Sequence, residues 1–239
     1  MSTKLSGSLK NIRDTLVGFV DTLQRDLSAR KLEAVLSGNE ADLRSRDFGY
    51  KPESYAEDNL IEPLFSAANI PVASQPYENA GGRAQWPDGE IQNVETRVIS
   101  EHKPLNNVDS AKSEIKDYLD RKSIGADYGV ATDGIEWYIY KIEFGGDFTN
   151  YPLVRKVDLR GALLEIARNK GYIASTGVET VSIDKKIENF GDVFIQKNFS
   201  EMLTQRVPRE LRDDRKRNIQ DFYELYIELI FGESDEYSY

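Results

Sequence analysis

Glu101, His102 and Lys103 close an apolar, β-rich run, Val98-Ile99-Ser100, and the turn-like Trp86-Pro87-Asp88 places a second carboxylate thirteen residues ahead of Glu101. Side chains alternate between the faces of a β-strand, so Glu101 and Lys103 share one face and His102 takes the other. A carboxylate and an ammonium side by side at a strand end, with a further carboxylate nearby, suit metal-assisted hydrolysis of a phosphodiester. That reaction needs an activated water, charge stabilisation at phosphorus and help for the leaving oxygen, and a bound Mg²⁺ serves all three. Mg²⁺ takes one or two carboxylates and completes an octahedral shell with water and substrate oxygens. In this chemistry Asp88 and Glu101 hold the metal, and Lys103 orients the attacking water or stabilises developing negative charge.

Elimination narrows the choice in the same direction. The 239 residues include no cysteine and one histidine. Disulfides, thiolate zinc sites, iron–sulfur clusters and a cysteine nucleophile are excluded, and a Ser-His-Asp triad would rest on His102 alone. What is left for hydrolysis is carboxylate plus lysine with a hard, oxygen-loving metal. Glu-x-Lys by itself says little, since two such residues on a solvent-facing strand make a weak pair. Glu114-Ile115-Lys116 repeats the pattern on an expected helix, where i and i+2 do not face each other. Asp184-Lys185-Lys186 follows the strand-like stretch 178–183, with no Asp in a turn upstream.

The elements that must position these residues are legible in outline. Apolar residues at three- and four-residue spacing predict a helix over 8–36, from Leu9 through Ile12, Leu16, Phe19 and Leu23 to Leu27. Ser37-Gly38-Asn39 ends it. A second helix is expected from Ser54 as N-cap, with Glu57 completing a capping box and Pro63 kinking the pattern. Residues 75–82 are turn-rich. Gly89–Gln92 and Val94–Lys103 form a hairpin around Asn93. A helix capped by Asp109 runs to about Lys122, and Tyr128–Thr132 is a short buried strand. Asp133-Gly134 turns the chain into a strand over Glu136–Glu143, which Gly145-Gly146 closes. Leu153–Val157 adds an edge strand, and Asp158 caps a helix through Arg168. Residues 187–239 are expected to be helical, with Phe222, Leu225, Tyr226, Leu229 and Ile230 on one face. His102 is expected to point away from the metal, with a role as general base the alternative. Trp86, Trp137 and the tyrosines are expected in core and hairpin packing.

In this order and spacing the chain resembles the PD-(D/E)xK nuclease superfamily, and within it the N-terminal nuclease domain of type I restriction enzyme R subunits. Tyr55-Ala56-Glu57-Asp58-Asn59-Leu60-Ile61-Glu62-Pro63-Leu64-Phe65 is similar to the opening family helix. Pro87-Asp88 precedes Val98–Leu105 at the family's gap, Asp109–Leu119 fits the helix after the motif, and Tyr128–Trp137 resembles the following hairpin. The similarity covers roughly residues 54 to 145. It implies a restriction-endonuclease-like α+β core: a central mixed β-sheet flanked by helices. It also implies metal ligation by Asp88, Glu101 and the His102 carbonyl, with Lys103 as the catalytic lysine. Glu57 or Glu62 is a further carboxylate in some members, although capping accounts for Glu57 without catalysis. The relatives' Gln-x-x-x-Tyr on the later helix is here Glu114 and Tyr118.

Three segments are expected: a helical extension over 1–45, the core over 46–186 and a helical extension over 187–239. The expected activity is Mg²⁺- or Mn²⁺-dependent cleavage of DNA in restriction or phage defence. The alternative is a non-catalytic DNA- or protein-binding module on the same fold. The formal net charge of −10, from 31 basic and 41 acidic side chains, opposes phosphate binding unless the basic residues cluster. They do so at Arg206, Arg209, Arg212, Arg215, Lys216 and Arg217, a solvated helix face or a phosphate-contact surface. The chain lacks a long apolar span and an apolar leader, which predicts a cytoplasmic protein without membrane contact. Cutting two strands favours a homodimer or a larger restriction complex.

Overall fold

The computed structural model describes residues 7–74, 86–145, 148–174 and 182–205. The chain divides into two units, Met1–Ser200 and Glu201–Tyr239. The sheet and the helices that cover it belong to the first. The turn-rich stretch at 75–82, the basic cluster Arg206–Arg217 and the apolar stripe at 222–230 lie outside the described residues.

A mixed six-stranded sheet forms the centre. In chain order its strands are β1 (Val72–Ser74), β2 (Gly89–Ile91), β3 (Val98–His102), β4 (Tyr128–Thr132), β5 (Glu136–Lys141) and β8 (Leu153–Asp158), and this is also their spatial order. Two short strands, β6 (Glu143–Gly145) and β7 (Phe148–Asn150), pair separately. Every pair in the large sheet is antiparallel except β3 with β4. A parallel pair requires a crossover, and the helix Val108–Leu119 supplies it. The result is a mixed α/β architecture with helices around a central sheet, consistent with the expected restriction-endonuclease-like α+β fold.

Helices cover both faces of the sheet. They are α1 (Gly7–Asp26), α2 (Ala29–Ser37), α3 (Ser45–Phe48), α4 (Pro52–Ala56), α5 (Glu62–Ala67), the crossover α6, α7 (Arg160–Asn169), α8 (Ile183–Phe194) and α9 (Gln196–Gln205). On one face α6 packs Ala111, Ile115, Tyr118 and Leu119 against Ile99, Ala131, Tyr138 and Tyr140. The approach is close: a Cβ at Gly129 would lie 2.5 Å from Ile115 Cγ1. On the other face Trp137, fully buried, meets Phe65 of α5 and Phe190 and Phe194 of α8 edge-on at 5.0–5.4 Å. Strand alternation thus sends Ile99 and Glu101 towards α6, and Ser100 and His102 towards α5.

Several elements differ from expectation for local reasons. The long N-terminal helix breaks after Asp26, because Ser28 turns extended and its hydroxyl accepts from Lys31 N to cap α2. The second helix starts at Pro52, not Ser54; proline suits a first turn, where its missing N–H is not needed. Glu57 is therefore not a capping residue. Ahead of Pro63 the helix widens into a π-turn, Glu57–Ile61, with Glu62 N–H donating to the Glu57 carbonyl. Asn107, not Asp109, stands at the start of α6. Asp158 does accept from Arg160 N at 2.8 Å where α7 begins. The edge strand β1 is unannounced in the sequence, being three residues long. Helix α8 begins at Ile183, so Asp184-Lys185-Lys186 sits on a helix. Among the described residues no helix is long and apolar enough to cross a membrane.

Candidate metal centre

Asp88 immediately precedes β2, and its position is fixed from β3. The His102 main-chain N–H donates to Asp88 Oδ2 at 2.7 Å. Gly89 lies opposite Ser100 in the ladder. A side chain there has no room: a Cβ would fall 2.6 Å from Val72 Cγ1 and 2.7 Å from Ser100 Oγ. Glycine after Asp88 lets β2 pass close over the Ser100 hydroxyl.

On the α6 side, Glu101 is buried at 2% exposure. Its Oε1 accepts from Lys103 Nζ at 2.5 Å, and its Oε2 is buried with no hydrogen-bond donor among the described residues. Lys103 Nζ also meets Glu114 Oε2 at 2.9 Å and Glu53 Oε1 at 3.8 Å. Three carboxylates therefore surround one ammonium. Burial, the negative charge of Asp88 and the contact with Glu114 push the Glu101 carboxyl up to about 9. Burial opposes the charge on Lys103, but Glu101 and Glu114 outweigh it and hold the ammonium above its ordinary range. Glu114 is partly desolvated, yet its contacts with Glu101 and Lys103 keep it below the usual glutamate value. Tyr118, one turn beyond Glu114, is pushed up to about 12 by burial and the carboxylates of Glu101 and Glu114.

On the α5 side, Glu57 at the head of the π-turn places Oε1 3.2 Å from His102 Nδ1. The other ring nitrogen lies 3.1 Å from Ser100 Oγ. One donor atom each from Glu57, Asp88 and His102 falls within 4.8 Å of the others. These three residues line a cleft of about 640 Å³ between α5 and β1. Glu62 lines the same cleft but lies outside that group of three.

The structure brings Asp88, Glu101 and Lys103 to the end of β2 and β3, with Glu57 beside Asp88. A divalent cation fits Glu57, Asp88 and His102, whose donor atoms lie within 4.8 Å of one another, and Glu101 lies outside that group of three. The donors are mostly carboxylate oxygens, and a buried carboxylate oxygen without a hydrogen-bond donor is an uncompensated polar atom that a cation would satisfy. The imidazole of His102 does point away from Glu101 and Lys103, but towards Glu57 and Asp88, not towards solvent or core alone. Three residues escaped sequence reasoning. Glu53 and Ser100 carry no motif. Glu114 was visible as a rejected Glu-x-Lys match and as the acid at the glutamine position of the resembled motif, but its contact with Lys103 was not. Trp86 corrects an expectation: it is 40% exposed, not core. Pro87 cannot donate into a ladder, so the chain at Trp86 lies outside the layers that would cover it.

The fold and these side chains together define a mixed α/β protein with a carboxylate–lysine centre at one strand end. No protein-family model matches the chain, and no solved structure matches it. It is similar to a Methanocaldococcus jannaschii protein provisionally named a type II restriction enzyme and methyltransferase, 22% identical over 218 residues. That alignment takes in 86% of this chain and 17% of the relative's own length.

Proposed function

We propose that this chain is a metal-dependent DNA endonuclease of the PD-(D/E)xK type, acting in the cytoplasm in restriction or phage defence. One observation carries the reading. Asp88, Glu101 and Lys103, singled out from residue type and spacing, lie near one strand end, and the Glu101 oxygen not held by Lys103 is buried with no donor among the described residues. The similarity to a protein named as a restriction enzyme supports DNA as the substrate.

In this reading Asp88 and Glu101 hold Mg²⁺ or Mn²⁺, with the His102 carbonyl as a third ligand. The cation supplies Lewis-acid activation of water and of the phosphoryl oxygen. Lys103, aligned by Glu101 and Glu114, presents its ammonium to the water and to negative charge developing at phosphorus. The main-chain bond from His102 keeps Asp88 in register with Glu101. A second copy of the chain supplies the cut in the opposite strand, and the Arg206–Arg217 cluster contacts phosphates.

The Lys103–Glu114 pair favours a second reading, a non-catalytic module on the same fold. Where the related R subunits carry glutamine, this chain carries a carboxylate that neutralises the lysine. Incubation of supercoiled plasmid and single-stranded DNA with Mg²⁺, Mn²⁺ or a chelator separates the two. The nuclease reading requires cleavage with metal and none with chelator. Folded protein that binds DNA without cutting it under either metal selects the second.

A further inference from the structure

We infer that the imidazole of His102 is itself a metal ligand. Together with Glu57 and Asp88 it forms a second cation site, on the face of β3 opposite Glu101 and Lys103, which takes a first-row divalent transition metal ion in preference to Mg²⁺. The inference deepens the nuclease reading: Asp88 lies between the two faces and serves both sites.

Three observations support it. The first is convergence: Nδ1 of His102 and one carboxylate oxygen each from Glu57 and Asp88 lie within 4.8 Å of one another. The second is orientation. Metal-bound histidines typically direct the other ring nitrogen to an oxygen, which fixes ring and tautomer. Here Nε2 lies 3.1 Å from Ser100 Oγ. With the proton on Nε2, the Nδ1 lone pair faces Glu57 Oε1 across 3.2 Å. In that tautomer Nδ1 is free to ligate a cation beside the Glu57 and Asp88 carboxylates, and in the other it donates to Glu57. The third is access. The site opens on the 640 Å³ cleft between α5 and β1, which also carries Asn69 and Asn93 and, among the described residues, has no lysine or arginine in its lining to balance the carboxylates.

The local sequence builds this site. Glycine at 89 spares room for the Ser100 hydroxyl, Ser100 aims the ring, and the π-turn ahead of Pro63 brings Glu57 over it. Metal identity follows from the donors. Carboxylate-only sites suit Mg²⁺, whereas an imidazole nitrogen favours the transition series.

His102 is the single histidine in the chain, so a tag-free protein gives an unambiguous signal. The experiment is pulsed electron paramagnetic resonance of Mn²⁺ added to the full chain, read for the nitrogen-14 modulation of a coordinated imidazole. The inference expects that modulation in the wild type and a roughly tenfold weaker Mn²⁺ affinity in Ser100→Ala, where the modulation persists because the ring remains. Bound Mn²⁺ without nitrogen modulation overturns it, since His102 then only hydrogen-bonds Glu57. Failure to bind Mn²⁺ also overturns it. DNA cleavage measured on the same preparation separates the two claims. Modulation without cleavage keeps this site and removes the nuclease. Cleavage without modulation keeps the nuclease with oxygen ligands only.

Discussion

The main-chain N–H of His102 donates to Asp88 Oδ2 over 2.7 Å, tying the residue before β2 to the end of β3. One carboxylate thus serves the ladder as well as the candidate metal centre. Asp88→Ala strips the acceptor from a buried N–H and is expected to cost about 1–3 kcal/mol of stability in addition to activity. Asp88→Asn keeps an oxygen in place and is expected to hold stability within about 1 kcal/mol of wild type while abolishing cleavage. Urea unfolding of both variants beside a plasmid assay checks this. Equal stability loss in the two would mean that the bond contributes nothing.

Gly89→Ala places a methyl group 2.6 Å from Val72 Cγ1 and 2.7 Å from Ser100 Oγ. Either β1 moves away or the Ser100 hydroxyl turns from His102. Such overpacking costs about 1–3 kcal/mol. Thermal unfolding of the variant should show a lower midpoint, and an unchanged midpoint would show that the edge strand yields freely.

Glu114→Gln removes one of the carboxylates around Lys103 and introduces the residue type found in the R subunits that the sequence resembles. The ammonium then has one fewer carboxylate partner. Single-turnover cleavage is expected to rise several-fold, a lowering of the barrier by about 1 kcal/mol. A fall of tenfold or more would instead make Glu114 a participant whose charge the site needs.

Asp133 is buried at the β4–β5 turn. Its Oδ1 accepts from Ile135 N and Glu136 N, while its Oδ2 has no partner. Burial raises its carboxyl from 3.8 to about 6, against those two hydrogen bonds. Between those values the folded chain keeps a proton that the unfolded chain has released, so this group's contribution falls as pH rises and levels off above about 6. Asp133→Asn cannot ionise. The difference in unfolding free energy between variant and wild type should therefore move in the variant's favour by about 2 kcal/mol from pH 4 to pH 7. A difference constant across that range would contradict the assignment.

The fold was legible wherever the pattern was periodic or a turn was chemically marked. Alternation over Val98–Lys103 and Glu136–Glu143 gave β3 and β5 their correct faces, and Asp133-Gly134 marked the hairpin between β4 and β5. What stayed hidden was set by tertiary contact. Ser28 breaks the first helix although the apolar spacing continues through Leu27. Three residues of β1 are too few to show alternation. In the site, Asp88, Glu101 and Lys103 could be picked out because chemistry demands those types near one another. Glu57 was visible only as an alternative to Glu62, and the choice between them depends on a π-turn that spacing does not encode. Glu53, Ser100 and Glu114 act through space on Lys103 and His102, and no sequence interval announces such partners.

The most direct test of the nuclease account is a plasmid cleavage time course with Mg²⁺ and with Mn²⁺, run on wild type and on Glu101→Gln and Lys103→Ala, each shown to be folded by circular dichroism. The account predicts metal-dependent nicking or linearisation by the wild type, with both variants slower by at least about 100-fold, or roughly 2.7 kcal/mol. Cleavage that persists at the wild-type rate in both folded variants would contradict it.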